Sequence, residues 1–92
     1  MNSKVRYSIS FYGDVQGVGF RYTACHAASA YGCTGWVRNE DDGSVTMEIQ
    51  GTVAEIDRVI EKIERGRFIS IERIDKKSIP VLDNEWGFDT KW

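Results

Sequence analysis

The sequence holds one proline (Pro80), one histidine (His26) and two cysteines, Cys25 and Cys33, among its 92 residues. Two isolated thiols form neither a disulfide framework nor a metal-ligand cluster, and His26 adds only a third soft ligand. Cys25 and His26 are neighbours on an expected helix, so their side chains diverge. No structural metal is expected. Arg38 follows Cys33 at the wrong spacing for a thiolate nucleophile with an arginine cradle, and Thr34–Val37 between them reads as strand. No segment approaches the roughly 18 apolar residues that span a bilayer, and Met1–Tyr7 lacks the apolar core of a secretory signal. The expected location is therefore the cytoplasm, with no membrane partner. Charge of one sign is missing as well. Twelve basic against 14 acidic residues leave a formal charge of -2, which disfavours a nucleic-acid footprint.

What is present is periodicity. Val5, Tyr7, Ile9 and Phe11 alternate with Arg6, Ser8, Ser10 and Tyr12, the pattern of a half-buried strand. Phe20, Ala24, Ala27, Ala28 and Tyr31 then form a helical stripe that stops before Gly32. Thr34–Asn39 and Ser44–Gln50 read as strands joined by the turn Glu40-Asp41-Asp42-Gly43. Asp41 and Asp42 are turn formers, since the ligand spacing of a calcium loop is absent. Thr52 and Glu55 make a capping box ahead of a second helix, with Ile56, Val59, Ile60 and Ile63 on its apolar side. Phe68–Ile79 is a further strand, in which Ile74 is out of phase with Ile69 and Ile71 and predicts a bulge or bend. After Pro80 and a turn at Asp83–Glu85, the shared parity of Trp86, Phe88, Thr90 and Trp92 predicts a terminal strand with an aromatic face.

This order predicts one domain, residues 1–92, of the α+β class. The architecture is a ferredoxin-like split βαβ (βαββαβ plus a short C-terminal strand), with two helices on one face of an antiparallel sheet. A chain of this size is expected to be a monomer. RNA-recognition modules share the topology but need aromatic rings on the third strand. Ser44–Gln50 has none.

The stretch that links the first strand to the first helix is Gly13-Asp14-Val15-Gln16-Gly17-Val18-Gly19-Phe20-Arg21. Gly17 and Gly19 let the backbone curl, and successive N–H groups in such a curl converge on an anion at a helix N-terminus. Arg21 would add a fork matched to phosphoryl oxygens. The same residues also fit a plain tight turn with a solvated arginine. Neither the P-loop pattern nor the dinucleotide fingerprint fits, because the required lysine and third glycine are missing. A small anion is the better match.

These residues resemble a known family. Gly13-x-Val15-Gln16-Gly17-Val18-Gly19-Phe20-Arg21 is similar to the signature of acylphosphatases, and Gly35-Trp36-Val37-Arg38-Asn39-x-x-Asp42-Gly43-x-Val45 to their second signature. The resemblance covers essentially the whole chain. It implies a ferredoxin-like enzyme, free of metal and cofactor, that hydrolyses small acyl phosphates to a carboxylate and inorganic phosphate. It implies that Arg21 binds the phosphoryl group and that Asn39 orients the attacking water. Gln16, Gly17, Val18, Gly19 and Phe20 would surround the phosphoryl group with their amides. Inorganic phosphate, as the product, would compete with substrate. Asp14 departs from the family pattern, standing where many members carry a basic residue. The stretch after the second helix lacks the usual proline- and glycine-rich turn, which leaves the fourth strand's register open. The alternative is a non-catalytic ferredoxin-like domain that binds a small anion or a protein. No residue in the sequence identifies itself as a reader of the acyl side.

Overall fold

The alternation that begins at Val5 produces strand β1 (Val5–Asp14) in the computed structural model, which describes residues 3–92. Ile9 and Phe11 of β1 point into the core. Helix α1 (Phe20–Ala30) follows and buries Phe20, Ala24, Ala27 and Ala28. The alanines keep the helix surface low, so it lies close to the sheet. Phe20 meets Phe11 edge-on with ring centroids 4.8 Å apart, which fixes the start of α1 over β1.

Strands β2 (Thr34–Asn39) and β3 (Val45–Gly51) form the expected hairpin. The Asp42 carboxylate closes the turn by accepting from the Ser44 backbone N–H at 2.9 Å and from its hydroxyl at 2.6 Å. Helix α2 (Val53–Glu64) opens with the predicted capping box: the Glu55 N–H donates to Thr52 Oγ1, and the Thr52 N–H to Glu55 Oε1. Its Ile56, Val59 and Ile63 are fully buried and complete the core between the helices and the sheet. Strand β4 (Ser70–Ile79) and the short β5 (Phe88–Thr90) complete the fold.

The sheet order is β4-β1-β3-β2-β5, with β1 paired antiparallel to both β3 and β4, and β2 antiparallel to β3. The register of β4 is now defined. Tyr12 pairs with Arg73 and Gly13 with Ile71, so Glu72 is an extra residue on β4. This bulge resets the phase and turns both Ile71 and Ile74 onto the core.

The end of the chain differs from expectation. The last strand is only Phe88–Thr90, and it runs parallel to β2, with Gly35 opposite Phe88. Its aromatic face reduces to Phe88, while Trp86 and Trp92 stand outside the core and are mostly exposed. The direction follows from the route. Residues 80–87 leave β4 at one edge of the sheet and reach β5 at the other, across four strand spacings or about 19 Å. A strap that crosses the sheet end enters β5 from the side that makes it parallel.

The strap explains a second departure. Arg6 sits in the polar phase of β1, yet it is 1% exposed. Its guanidinium donates to Glu85 at 2.6 and 3.0 Å, to Glu48 at 3.0 Å and to Gln50 at 3.2 Å. Gln50 in turn holds the strap, donating to the Leu82 carbonyl at 2.8 Å and accepting from the Leu82 N–H at 2.9 Å. Burial pushes the Glu85 carboxyl up, but the hydrogen bonds and positive charges around it, Arg6 first, outweigh burial and leave its pKa below the ordinary value of 4.5. A carboxylate whose folded pKa is lowered adds stability above its unfolded pKa and loses it as pH falls through the folded value. Glu85→Gln is therefore expected to lower stability at pH 7 and to flatten the decline below about pH 4.5, measured by urea unfolding across a pH series. Parallel curves for the two proteins would remove Glu85 from the acid response.

Candidate active site

Three segments meet at the end of the sheet where β1 hands over to α1. The loop 15–19 comes from β1, Arg21 from the first turn of α1, and Asn39 from the last residue of β2. Val15, Gly17, Gly19, Phe20, Arg21, Tyr22 and Asn39 line one recess of about 190 Å³. The volume suits a phosphate-sized anion and a water, and is too small for a nucleotide.

The loop is built by its glycines. Gly17 and Gly19 take φ of 72° and 84°, the left-handed region that other residues avoid. Gly19 is the N-cap of α1 and has no side chain to cap it. The first backbone bond of the helix runs from the Thr23 N–H to the Gly19 carbonyl at 3.0 Å. Among the described residues, the backbone N–H groups of 16–22 donate to no backbone carbonyl in any turn or cap. The first turn also holds no acidic residue. The positive end of the helix and the unengaged amides of Gly17, Gly19, Phe20, Arg21 and Tyr22 thus lie at the recess.

Arg21 is half-buried and makes no ion pair among the described residues. Its one aromatic contact is the Trp92 ring, with the guanidinium carbon 4.6 Å from the ring centroid. The indole supports one face of the guanidinium and leaves its N–H edge free. Arg38, the other arginine nearby, is turned away by strand alternation. It stacks over Trp36 and pairs with Glu40 at 3.1 Å on the opposite face of β2.

Asn39 shares the inward face with the fully buried Val37. Its side-chain oxygen is buried and has no hydrogen-bond partner in the chain. A buried acceptor without a donor costs free energy, so its natural complement is a bound water or ligand.

Of the residues singled out from the sequence, Gly17, Gly19, Phe20, Arg21 and Asn39 come together around the recess. Gln16 and Val18 are not in its wall. The Gln16 amide instead donates to the carbonyls of Glu40 at 2.7 Å and Ser44 at 2.8 Å. It stitches the loop to the hairpin that carries Asn39. Val15 and Tyr22 line the recess and had no signal in the sequence beyond adjacency to the motif. Asp14 is exposed, at the end of β1. Cys33 is buried, and desolvation followed by the Glu55 charge pushes its thiol up to about 11. It therefore stays protonated near neutrality and is not a nucleophile. Among the described residues, no three His, Cys, Asp or Glu side chains gather as a metal would need, and no helix is long and apolar enough to cross a membrane.

The arrangement has known parallels. The family model for acylphosphatase matches residues 7–90. The acylphosphatase of Clostridium acetobutylicum is 44% identical over 84 residues, covering 90% of this chain and 92% of that protein. The acylphosphatase of Oceanobacillus iheyensis is 41% identical over 82 residues, covering 87% and 90%. The crystal structure of acylphosphatase from Bacillus subtilis superposes with a TM-score of 0.87 at 30% identity, covering 96% of this chain and 99% of that one.

Proposed function

The chain belongs to the acylphosphatase family and hydrolyses the carboxyl–phosphate bond of acyl phosphates, and from that premise we propose how its residues divide the work. The phosphoryl group enters the recess above the loop. The amides of residues 16–20 and the Arg21 guanidinium take its equatorial oxygens and meet their charge as the transition state develops. Asn39 accepts a hydrogen bond from a water through Oδ1 and leaves that water's lone pair facing phosphorus. Attack forms the new P–O bond while the bond to the acyl oxygen breaks, releasing a carboxylate. The leaving group is already a weak base, so no enzyme acid has to protonate it. An amide has no useful pKa, so Asn39 orients the water and does not take its proton. That proton passes to a phosphoryl oxygen or to solvent. The whole chain, residues 1–92, acts as one domain, as a monomer in the cytoplasm, without metal or cofactor.

The observation that carries this reading is the unpartnered, buried Oδ1 of Asn39 in the wall of a recess that also holds Arg21 and a run of free amides. Steady-state hydrolysis of acetyl phosphate over a series of inorganic phosphate concentrations, at constant ionic strength, tests it. Phosphate is expected to raise KM and leave kcat unchanged, because product and substrate share the recess. Purely noncompetitive inhibition would place the anion elsewhere. Phosphate binding with no turnover would favour a non-catalytic anion-binding domain.

A further inference from the structure

The phosphoryl group and the water that attacks it are held by different parts of the chain. The loop 15–19 and Arg21 hold the first, and Asn39, at the end of β2, holds the second. The rate therefore depends on how firmly the loop is placed against the β2–β3 hairpin. The sheet does little of this. β1 pairs with β3 only as far as Phe11 opposite Val45, and Val45 is also the partner of Asn39. Beyond that row β1 pairs with β4 alone. Among the described residues, no backbone hydrogen bond runs from 15–19 to the hairpin.

The Gln16 side chain bridges this gap. Its amide nitrogen donates to the Glu40 carbonyl at 2.7 Å and to the Ser44 carbonyl at 2.8 Å, one hydrogen for each. Glu40 directly follows Asn39, so the bridge lands beside the residue that holds the water. The hairpin does not need these bonds to close. Its turn is shut by the Glu40 N–H on the Ser44 carbonyl at 2.9 Å and by the Gly43 N–H on the Glu40 carbonyl at 3.2 Å. Both carbonyls thus already have a donor from within the turn. What the Gln16 amide adds is a link between the turn and the loop.

We propose that Gln16 is a positioning residue, whose side chain fixes the distance between the anion loop and Asn39 and so aims the attacking water at phosphorus. This role rests on the catalytic reading above, in which Asn39 orients that water. The side chain acts through Asn39, since Gln16 is not in the wall of the recess. A misplacement of about 1 Å between reacting groups costs about 10²-fold in rate, which sets the upper limit of the effect.

The test is a double-mutant cycle on kcat with acetyl phosphate, using the wild type, Gln16→Ala, Asn39→Ala and the double variant. Gln16→Ala is expected to lower kcat about tenfold to 10²-fold, with phosphate inhibition held, because the loop amides and Arg21 remain. In the Asn39→Ala protein the same change should alter kcat by less than about twofold, since no oriented water is left to misplace. Gln16→Glu keeps the shape but loses both donors, and should lose kcat as Gln16→Ala does. An unchanged kcat in Gln16→Ala or Gln16→Glu would overturn the assignment. So would losses that multiply across the cycle, or phosphate inhibition that weakens in step with kcat. A Gln16→Ala protein that fails to fold would also overturn it, by making the side chain a plain structural support. Failure of the underlying reading looks different: Asn39→Ala alone would then keep its kcat.

Discussion

Arg21→Ala is expected to lower kcat/KM for acetyl phosphate by about 10³-fold or more, the low end of what a positioned arginine supplies in phosphoryl transfer. Phosphate inhibition should weaken in the same protein, because the guanidinium meets a group present in substrate, transition state and product alike. The side chain is half-buried, enters no ion pair among the described residues and rests on the Trp92 ring, so little of the fold depends on it. Thermal unfolding of Arg21→Ala should therefore stay close to that of the wild type. Arg21→Lys keeps the charge but loses the planar fork, and should recover only part of the rate. A loss under tenfold in Arg21→Ala, with unchanged phosphate inhibition, would place the phosphoryl group away from this arginine.

Asn39→Ala should act on a different parameter. Loss of one well-placed polar contact made in the transition state costs roughly 10²–10³ in kcat, about 2.7–4 kcal/mol. Here the loss should fall on kcat, with phosphate inhibition preserved, because the loop amides and Arg21 remain. Its effect on stability should be small. The Asn39 oxygen accepts from no group among the described residues, so its removal breaks no hydrogen bond within the chain and should leave the melting temperature close to that of the wild type. If Asn39 served only to end the strand, the pattern would reverse: kcat would hold and stability would fall by about 1 kcal/mol. Measuring kcat, phosphate inhibition and unfolding on the same preparation separates the two.

The parts of the fold that repeat a short period were legible in the sequence. Ile9 and Phe11, the alanine stripe of α1 and the Thr52–Glu55 capping box all lie where the pattern put them. Ile74, out of phase, marked the bulge that the extra residue Glu72 supplies. The strap was not legible, because residues 80–87 have no period and are held by side chains far away in sequence. The burial of Arg6, the parallel direction of β5 and the contact of Trp92 with Arg21 all depend on that strap. At the site, the glycine loop, Arg21 and Asn39 could be read from their motifs. Gln16 was legible as part of the loop, but not that its amide reaches the Glu40 and Ser44 carbonyls, since those lie across a gap only the folded chain closes. Tyr22 could not be read at all. An exposed tyrosine on a helix has no sequence mark until the folded chain sets it at the recess.

The central place of β1 in the sheet has a consequence for how this protein is made. The chain is synthesised from the end that holds β1, yet β1 pairs with β3 on one side and with β4, nearly the last element, on the other. The loop 15–19 and α1 emerge from the ribosome early, but the strand that anchors them has a bare edge until Ser70–Ile79 has been translated. The Arg6–Glu85 clamp needs a residue that follows that strand in the chain. The anion site thus precedes in the chain the strand that completes its anchor. Such non-local pairing slows folding, and it leaves the nascent β1 edge open to capture by another unfinished chain. The anion recess gains its full support only once β4 has paired with β1.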